Sequence, residues 1–569
     1  MENTVVARGP KAPKDPTKKR SVIYIMLDDA IEGRPNGFGG FSDVNYLDGR
    51  VAAKVTNLLP ELDKELAREL QTCEGFRKLV HNIGVSIKAD NEEDRNKTIR
   101  FAQQCRAATG SGTPFPAEVV CDGRETKIFV EEHPAAENEQ VLTAFFFEFP
   151  EYFTAKVTIA YYLNDGYEVP ELIPDPPVQF GSESYNTMIA RSCMQTGNLY
   201  RMKKAIARAK AGEDVTIAYI GGSITQGAGA KPIGTNSYAY RSYEMFKQRF
   251  GKGDGGNVHF IKAGVGGTPS ELGLTRYEDD VLRQGAVTPD VVVIEFAVND
   301  AGDETNGVCY ESLALMAMEG PGNPAVVLLF SVFMDDYNLQ DNLSRVGYHY
   351  NLPMVSIKNA VTPNFYEDTP VITKRQFFYD LYHPSNDGHR IMADCLDNFW
   401  KLAEEGEAPA EDVDLTKEGV IGNRYRALIA FGKDDAAKHV KCLSAGSFTG
   451  TDNMLQCVEQ DANAYTTPEF PDHWMYEATS EQPENFTMTM ECKDLLLVYK
   501  DSGDPSFGTA EVLVDGVVTR TINPLEVGWN HCNAVIVYTG EEVKEHQVEV
   551  RMADAAKKFT ILGFGYTLK

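Results

Sequence analysis

The stretch Ala218-Tyr219-Ile220-Gly221-Gly222-Ser223-Ile224-Thr225-Gln226-Gly227 decides how this chain is read. An apolar run, Val215 to Ile220, stops at two glycines and a serine. That pattern predicts a buried strand ending in a tight turn. Open α/β folds place their sites at the carboxyl ends of such strands, so Ser223 stands where chemistry is expected. A later stretch, Asp380-Leu381-Tyr382-His383-Pro384, supplies a histidine with a carboxylate three residues before it. A serine, a histidine and an orienting aspartate together can perform acyl transfer.

The surrounding sequence repeats the strand signal. Apolar runs at Val215–Gly222, Val258–Gly264, Asp290–Ala297, Ala325–Phe333 and Pro353–Ile357 alternate with helical segments at Tyr238–Phe250 and Leu272–Gln284. A basic amphipathic helix, Leu199–Ala211, precedes them, and a helix over Asp387–Leu402 follows His383. Such β-α units predict an α/β unit over residues 186–403, a five-stranded parallel sheet with helices on both faces. Residues 1–20 are polar and basic and read as an extended arm. Residues 21–177 read as an accessory α+β or β-sandwich domain, with strands near Ser21–Leu27, Leu142–Phe149 and Val157–Leu163 and a helical pattern over Val51–Val80. This accessory segment closes on the proline-rich linker Val169–Pro177. Residues 404–439 begin with the acidic run EEGEAPAEDVDLTKE and read as a linker. Residues 440–569 carry short strands separated by turn signals and read as a β-sandwich, jelly-roll-like domain.

Four motif blocks, in order, resemble those of the SGNH (GDSL-like) hydrolases: GGSITQG with Ser223, KAGVGGTPS with Gly267, EFAVND with Asn299 and Asp300, and DLYHPSNDGH with Asp380 and His383. Two positions depart from the family pattern, Gly222 in place of the usual aspartate and Ala297 in place of a glycine. The resemblance covers residues 196–402 and implies a flavodoxin-like core. It also implies a Ser223–His383–Asp380 triad, with an oxyanion hole made by the backbone N–H groups of Ser223 and Gly267 and the side-chain amide of Asn299. Gly266 and Gly264 are alternatives to Gly267 in the second block. A serine hydroxyl needs a base to take its proton, the base needs a carboxylate to fix its tautomer, and the tetrahedral oxyanion needs preorganised donors.

The 569-residue chain is too long for one core and carries a formal net charge of -28, which argues against nucleic acid or an anionic membrane as partner. A start without an apolar segment and ten scattered cysteines without zinc-like spacing give the expectation of a cytoplasmic protein with no catalytic metal or cofactor. By analogy with composite SGNH proteins, the expected function is a carbohydrate O-acetylesterase acting on an acetylated oligosaccharide. A homo-oligomer is compatible with the sequence. A lipase, thioesterase or aryl esterase is the first alternative and an O-acyltransferase the second. A non-catalytic carbohydrate-binding protein is the alternative of another class. Trp529, His531 and Trp474 are candidates for a sugar platform, the competing reading being a sandwich core. His389 and His349 read as structural. Glu295 reads as a strand-end carboxylate, with a role near Asn299 as the alternative.

Overall fold

Along the strand Val215–Gly221, Ile217 and Tyr219 point into one hydrophobic cluster, while Ala218 and Ile220 point into another. Its neighbour Val291–Glu295 does the same, with Val291 and Val293 on one face and Val292 and Ile294 on the other. Side chains alternate along a strand, so an unbroken apolar run means burial on both faces. In the computed structural model these strands lie in a six-stranded sheet. Its order is Cys193–Gln195, Met354–Ser356, Ala325–Phe330, Val291–Glu295, Val215–Gly221 and Val258–Gly264. The last five are parallel and the short Cys193–Gln195 edge is antiparallel. The helices Tyr200–Ala211, Tyr238–Phe250 and Asn386–Glu405 cover one face through Met202, Phe246 and Trp400. Ser270–Asp280, Val308–Glu319 and Gln340–Tyr350 cover the other through Leu274, Leu313 and Val346.

The structure describes residues 18–36, 39–47, 69–70, 72–107, 110–111, 115–135, 139–478 and 483–569. Most of the arm expected at 1–20 and most of the helical pattern expected at 51–80 lie outside these residues. The described part of that pattern ends in a helix, Cys73–Leu79, capped by Thr72.

Two antiparallel sheets occupy residues 22–163. One has the order Val22–Glu32, Thr154–Leu163, Val80–Ala89, Asp122–Phe129, and the other is built on Phe41–Tyr46, Glu139–Phe149 and Thr98–Ala107. A single cluster with Ile23, Val85, Phe101, Phe147 and Ile159 fills the space between them, as in a sandwich.

The C-terminal residues form an eight-stranded antiparallel sheet around two long strands, Phe486–Asp501 and His531–Met552. Register shifts at Cys492/Asp494 and Leu495/Leu496 divide their pairing into three segments. A core of Trp474, Tyr476, Phe486, Leu497 and Phe564 packs within this sheet. The sheet takes its first strand, Ile429–Phe431, from the segment read as a linker. The stretch before it is also held: the buried Glu311 carboxylate accepts the backbone N–H groups of Val420, Ile421 and Gly422 at 2.8, 2.6 and 2.8 Å. No helix among the described residues is long and apolar enough to cross a membrane.

Candidate active site

The strand Val215–Gly221 lies between Val258–Gly264 and Val291–Glu295, and successive connections leave it in opposite directions. That makes its carboxyl end the switch point of the sheet, where a crevice opens. Ser223 starts a one-turn helix there, Ser223–Gln226, closed by Gly227 in the left-handed region at φ 105°. The turn is tight enough to exclude side chains beneath it. A Cβ on Gly221 would lie 2.2 Å from Thr225 Oγ1 and 2.4 Å from the Glu295 carbonyl oxygen. The buried Arg276 guanidinium ties the ends of two strands together, donating to the carbonyls of Gly221 at 2.9 Å and Ala263 at 2.8 Å.

Ser223 Oγ lies 2.9 Å from His383 Nε2. On the other side of the ring, His383 Nδ1 is 2.8 Å from Asp380 Oδ2 and 3.0 Å from Oδ1. Asp380 Oδ1 also accepts the backbone N–H groups of Tyr382 and His383, each at 2.8 Å. This aspartate turn fixes the carboxylate before the imidazole meets it. A Tyr379 N–H to His383 carbonyl bond of 2.7 Å closes the loop, and Ser385 caps the helix that follows.

Asn299 enters from the turn after Val291–Glu295. A Cβ on Gly222 would sit 2.2 Å from Asn299 Oδ1 and 3.1 Å from Nδ2, so the departure from aspartate at 222 leaves room for this amide. The loop after Val258–Gly264 supplies the third element. A Cβ on Gly266 would be 3.8 Å from Ser223 Cβ. Gly267 has φ 75°, a conformation glycine adopts without strain.

The C-terminal region holds this loop. His531 Nε2 donates to the Gly267 carbonyl at 3.1 Å, and Gln456 Nε2 donates to the Gly266 carbonyl at 2.9 Å. The Trp529 indole lies against Gly267, 2.8 Å from where a Cβ would be, and is 45% exposed. Tyr382, also 45% exposed, packs edge-on against Phe333 with ring centroids 5.1 Å apart. Sequence reading missed Gln456, Phe333 and Tyr382, although Tyr382 stands inside the DLYHP block.

Trp474 is corrected by the structure. It is 2% exposed and packs edge-on against Phe486 and Phe564 in the C-terminal core, so it offers no face to a sugar. His531 is buried too, and its contact is the loop carbonyl. Burial lowers its pKa and favours the neutral ring. His389 is fully buried: its Nδ1 accepts the Tyr238 N–H at 3.1 Å and its Nε2 donates to the Ala228 carbonyl at 3.0 Å. Burial depresses its pKa to about 3. His349 Nε2 donates to the Glu418 carbonyl at 2.9 Å, away from Ser223.

Two buried ionisable groups flank the Ser223 turn. Glu295 Oε2 accepts from Thr225 Oγ1 at 3.1 Å, and burial pushes its pKa up to about 7. Lys262 Nζ donates to the Gln226 carbonyl at 2.8 Å, and burial pulls its pKa down to about 7. Asp300, next to Asn299, accepts from the Ser270 N–H at 2.8 Å and hydroxyl at 3.0 Å, capping the helix after the glycine loop. A separate buried group, Glu271, Asp303 and Cys309, brings its ligand atoms within 4.8 Å of one another. Its carboxylates are occupied by the backbone N–H groups of Glu304, Thr305 and Gly307.

Residues 219–391 match the GDSL-like Lipase/Acylhydrolase family. Every strand-end element around Ser223 described above lies within that span, apart from the contacts from the C-terminal region. The chain is also similar to the crystal structure of a two-domain esterase (CEX) active on acetylated mannans. The identity is 28% over 67% of this chain and 99% of that one, with a TM-score of 0.57. The same esterase co-crystallised with mannopentaose matches at 29% identity and a TM-score of 0.55, over 67% of this chain and 99% of that one. No curated protein matches the chain.

Proposed function

We propose that this protein is a serine carbohydrate esterase that removes acetyl groups from O-acetylated oligosaccharides. One observation carries the reading: the continuous hydrogen-bonded path Ser223 Oγ–His383 Nε2, His383 Nδ1–Asp380, opening beside Asn299 and the Gly266–Gly267 backbone.

In this reading Ser223 Oγ attacks the acetyl carbonyl carbon as its proton passes to His383 Nε2. Asp380 holds Nδ1–H, so the lone pair on Nε2 faces the hydroxyl, and it stabilises the imidazolium that forms. The carbonyl oxygen becomes an oxyanion, met by the backbone N–H groups of Ser223 and Gly267 and by the Asn299 amide. Each such donor is worth roughly 10²–10³ in turnover. Collapse expels the sugar hydroxyl, which takes the proton from His383. Water, deprotonated by the same histidine, then cleaves the acetyl-serine and releases acetate.

A small acetyl group offers little binding area, so affinity must come from the sugar. The exposed Trp529 beside Gly267 supplies a flat apolar face for a pyranose ring, and Tyr382 supplies another near His383. The similarity to an esterase active on acetylated mannans supports a mannan-type or related acetylated oligosaccharide. The experiment is acetate release from a panel of acetylated oligosaccharides, with p-nitrophenyl esters of increasing chain length alongside. Acetate release that dies with Ser223→Ala supports the proposal. Faster cleavage of long acyl chains with no acetate released from sugars would replace it with the lipase reading.

A further inference from the structure

The segment that follows the Ser223 helix is gripped by buried charge that belongs to the N-terminal sandwich. Glu32 is fully buried. Its Oε2 accepts the Ile233 N–H at 3.0 Å, and its Oε1 accepts the Tyr152 hydroxyl at 3.1 Å. Asp43, 1% exposed, accepts the Glu32 N–H at 3.0 Å and pairs with Lys231 Nζ at 2.8 Å. Against the pull of burial, Lys231 and Arg34 hold the Asp43 carboxyl below the usual carboxylate range. Lys231 is also bound through its backbone: its N–H and carbonyl pair with the Asn386 side chain, each at 2.8 Å. Asn386 is the first residue of the helix that follows His383.

A second grip runs through Arg34. It forms an ion pair with Glu459, which comes from a loop of the C-terminal region. The other oxygen of Glu459 accepts Gln226 Nε2 at 2.6 Å. Gln226 closes the Ser223 helix, and its Oε1 lies 3.1 Å from where a Cβ on Gly266 would be. All three regions of the chain therefore meet on the turn carrying Ser223 and on the glycine loop beside it.

We propose that the hairpin bearing Glu32, Arg34 and Asp43 is a positioning clamp for the active site, with Arg34 acting through Glu459 and Gln226 to hold the Ser223 turn against Gly266. The proposal rests on the esterase reading for its kinetic consequence. The sandwich has a complete core of its own between its two sheets, so its stability does not need these ions. Buried ion pairs add little net stability but leave a costly unpaired charge when one partner is removed. Here the unpaired charge would be Glu459, and the side chain it would pull is Gln226. A displacement on the order of 1 Å in a site of this kind costs up to about 10² in turnover.

The test uses the full chain with Arg34→Ala, Arg34→Lys and the double variant Arg34→Ala/Glu459→Gln. Turnover of p-nitrophenyl acetate and amide hydrogen exchange are measured on each. Arg34→Ala is expected to lower kcat about ten-fold with KM nearly unchanged. Exchange should rise in peptides covering 221–233 and 264–268 and stay slow in the sandwich strand Val80–Ala89. Arg34→Lys keeps the charge and most of the turnover. The double variant recovers kcat, because a neutral amide still accepts Gln226 Nε2. Unchanged kcat and exchange in Arg34→Ala would overturn the clamp, as would exchange that rises throughout the sandwich. If the wild type cleaves no ester, the esterase reading falls instead, and the exchange comparison alone decides the clamp.

Discussion

His531 Nε2 donates a hydrogen bond of 3.1 Å to the carbonyl oxygen of Gly267, across 264 residues of sequence. A carbonyl can only accept, so the proton sits on Nε2, and the neutral ring leaves Nδ1 as a bare acceptor. The peptide plane whose carbonyl is fixed in this way lies in the loop expected to stabilise the oxyanion. His531→Ala is therefore expected to lower kcat on p-nitrophenyl acetate about ten-fold with little change in KM, and His531→Gln to recover part of it through its amide donor. Equal kcat in all three proteins would detach the C-terminal sheet from the chemistry.

Ser223→Ala should remove several orders of magnitude of turnover and leave the melting temperature near that of wild type. His383→Asn should do the same. His389→Asn should behave differently, because His389 satisfies the Tyr238 N–H and the Ala228 carbonyl in the core. Its loss is expected to cost about 1–3 kcal/mol of stability, read by denaturant unfolding, with kcat on the surviving folded protein within a few-fold of wild type.

Gly222→Ala tests the Asn299 amide without touching it. The new Cβ would overlap Asn299 Oδ1 at 2.2 Å, so the amide must swing away. Both Gly222→Ala and Asn299→Ala are expected to lower kcat by roughly 10²–10³, and combining them should add little more. Additive losses would mean that Gly222 and Asn299 act separately.

The two tryptophans separate binding from packing. Trp474→Ala should destabilise by about 3–5 kcal/mol through the cavity left in the core. Trp529→Ala should leave the melting temperature nearly unchanged and reduce kcat/KM on an acetylated oligosaccharide much more than on p-nitrophenyl acetate. A matching loss on both substrates would remove Trp529 from sugar binding.

Glu295 predicts a pH dependence of stability. Its folded pKa of about 7 lies above the model-peptide value of 4.5, so between those pH values the folded state binds more protons than the unfolded chain. Stability contributed by the protonated carboxyl is complete below about pH 4.5 and is lost as pH rises towards about 7, on the order of 3 kcal/mol in all. Glu295→Gln mimics the neutral acid and should flatten that part of the stability profile. A profile parallel to wild type would show that Glu295 does not titrate in this window.

The catalytic sheet was legible because its strands are buried on both faces and so are written as unbroken apolar runs. The largest overshoot came where apolar residues continue past a strand end: Val332 and Phe333 follow the last strand residue, Phe330. The pairing of Asp380 with His383 was legible because the two are local to each other. The reading of residues 440–569 as short strands missed the length of His531–Met552, which runs through Gly540 as one strand. Trp474 and Trp529 could not be told apart, because exposure depends on partners far away in sequence. The acidic stretch before residue 429 reads as solvated, yet the acceptor that gathers its N–H groups is Glu311, more than a hundred residues upstream. Glu32, Arg34 and Asp43 carry no local signal, since their partners Ile233, Lys231 and Glu459 lie about 190 to 425 positions away.

The sequence order of these contacts bears on how the protein is made. A nascent chain that has emerged only as far as residue 450 already contains Ser223, Asp380 and His383, but not Gln456 or His531, which tether the Gly266 and Gly267 carbonyls. Translation must run past residue 531 before the glycine loop has both supports. The site is thus not finished when Ser223, Asp380 and His383 have emerged, and full activity reports a C-terminal sheet that has been made as well as folded.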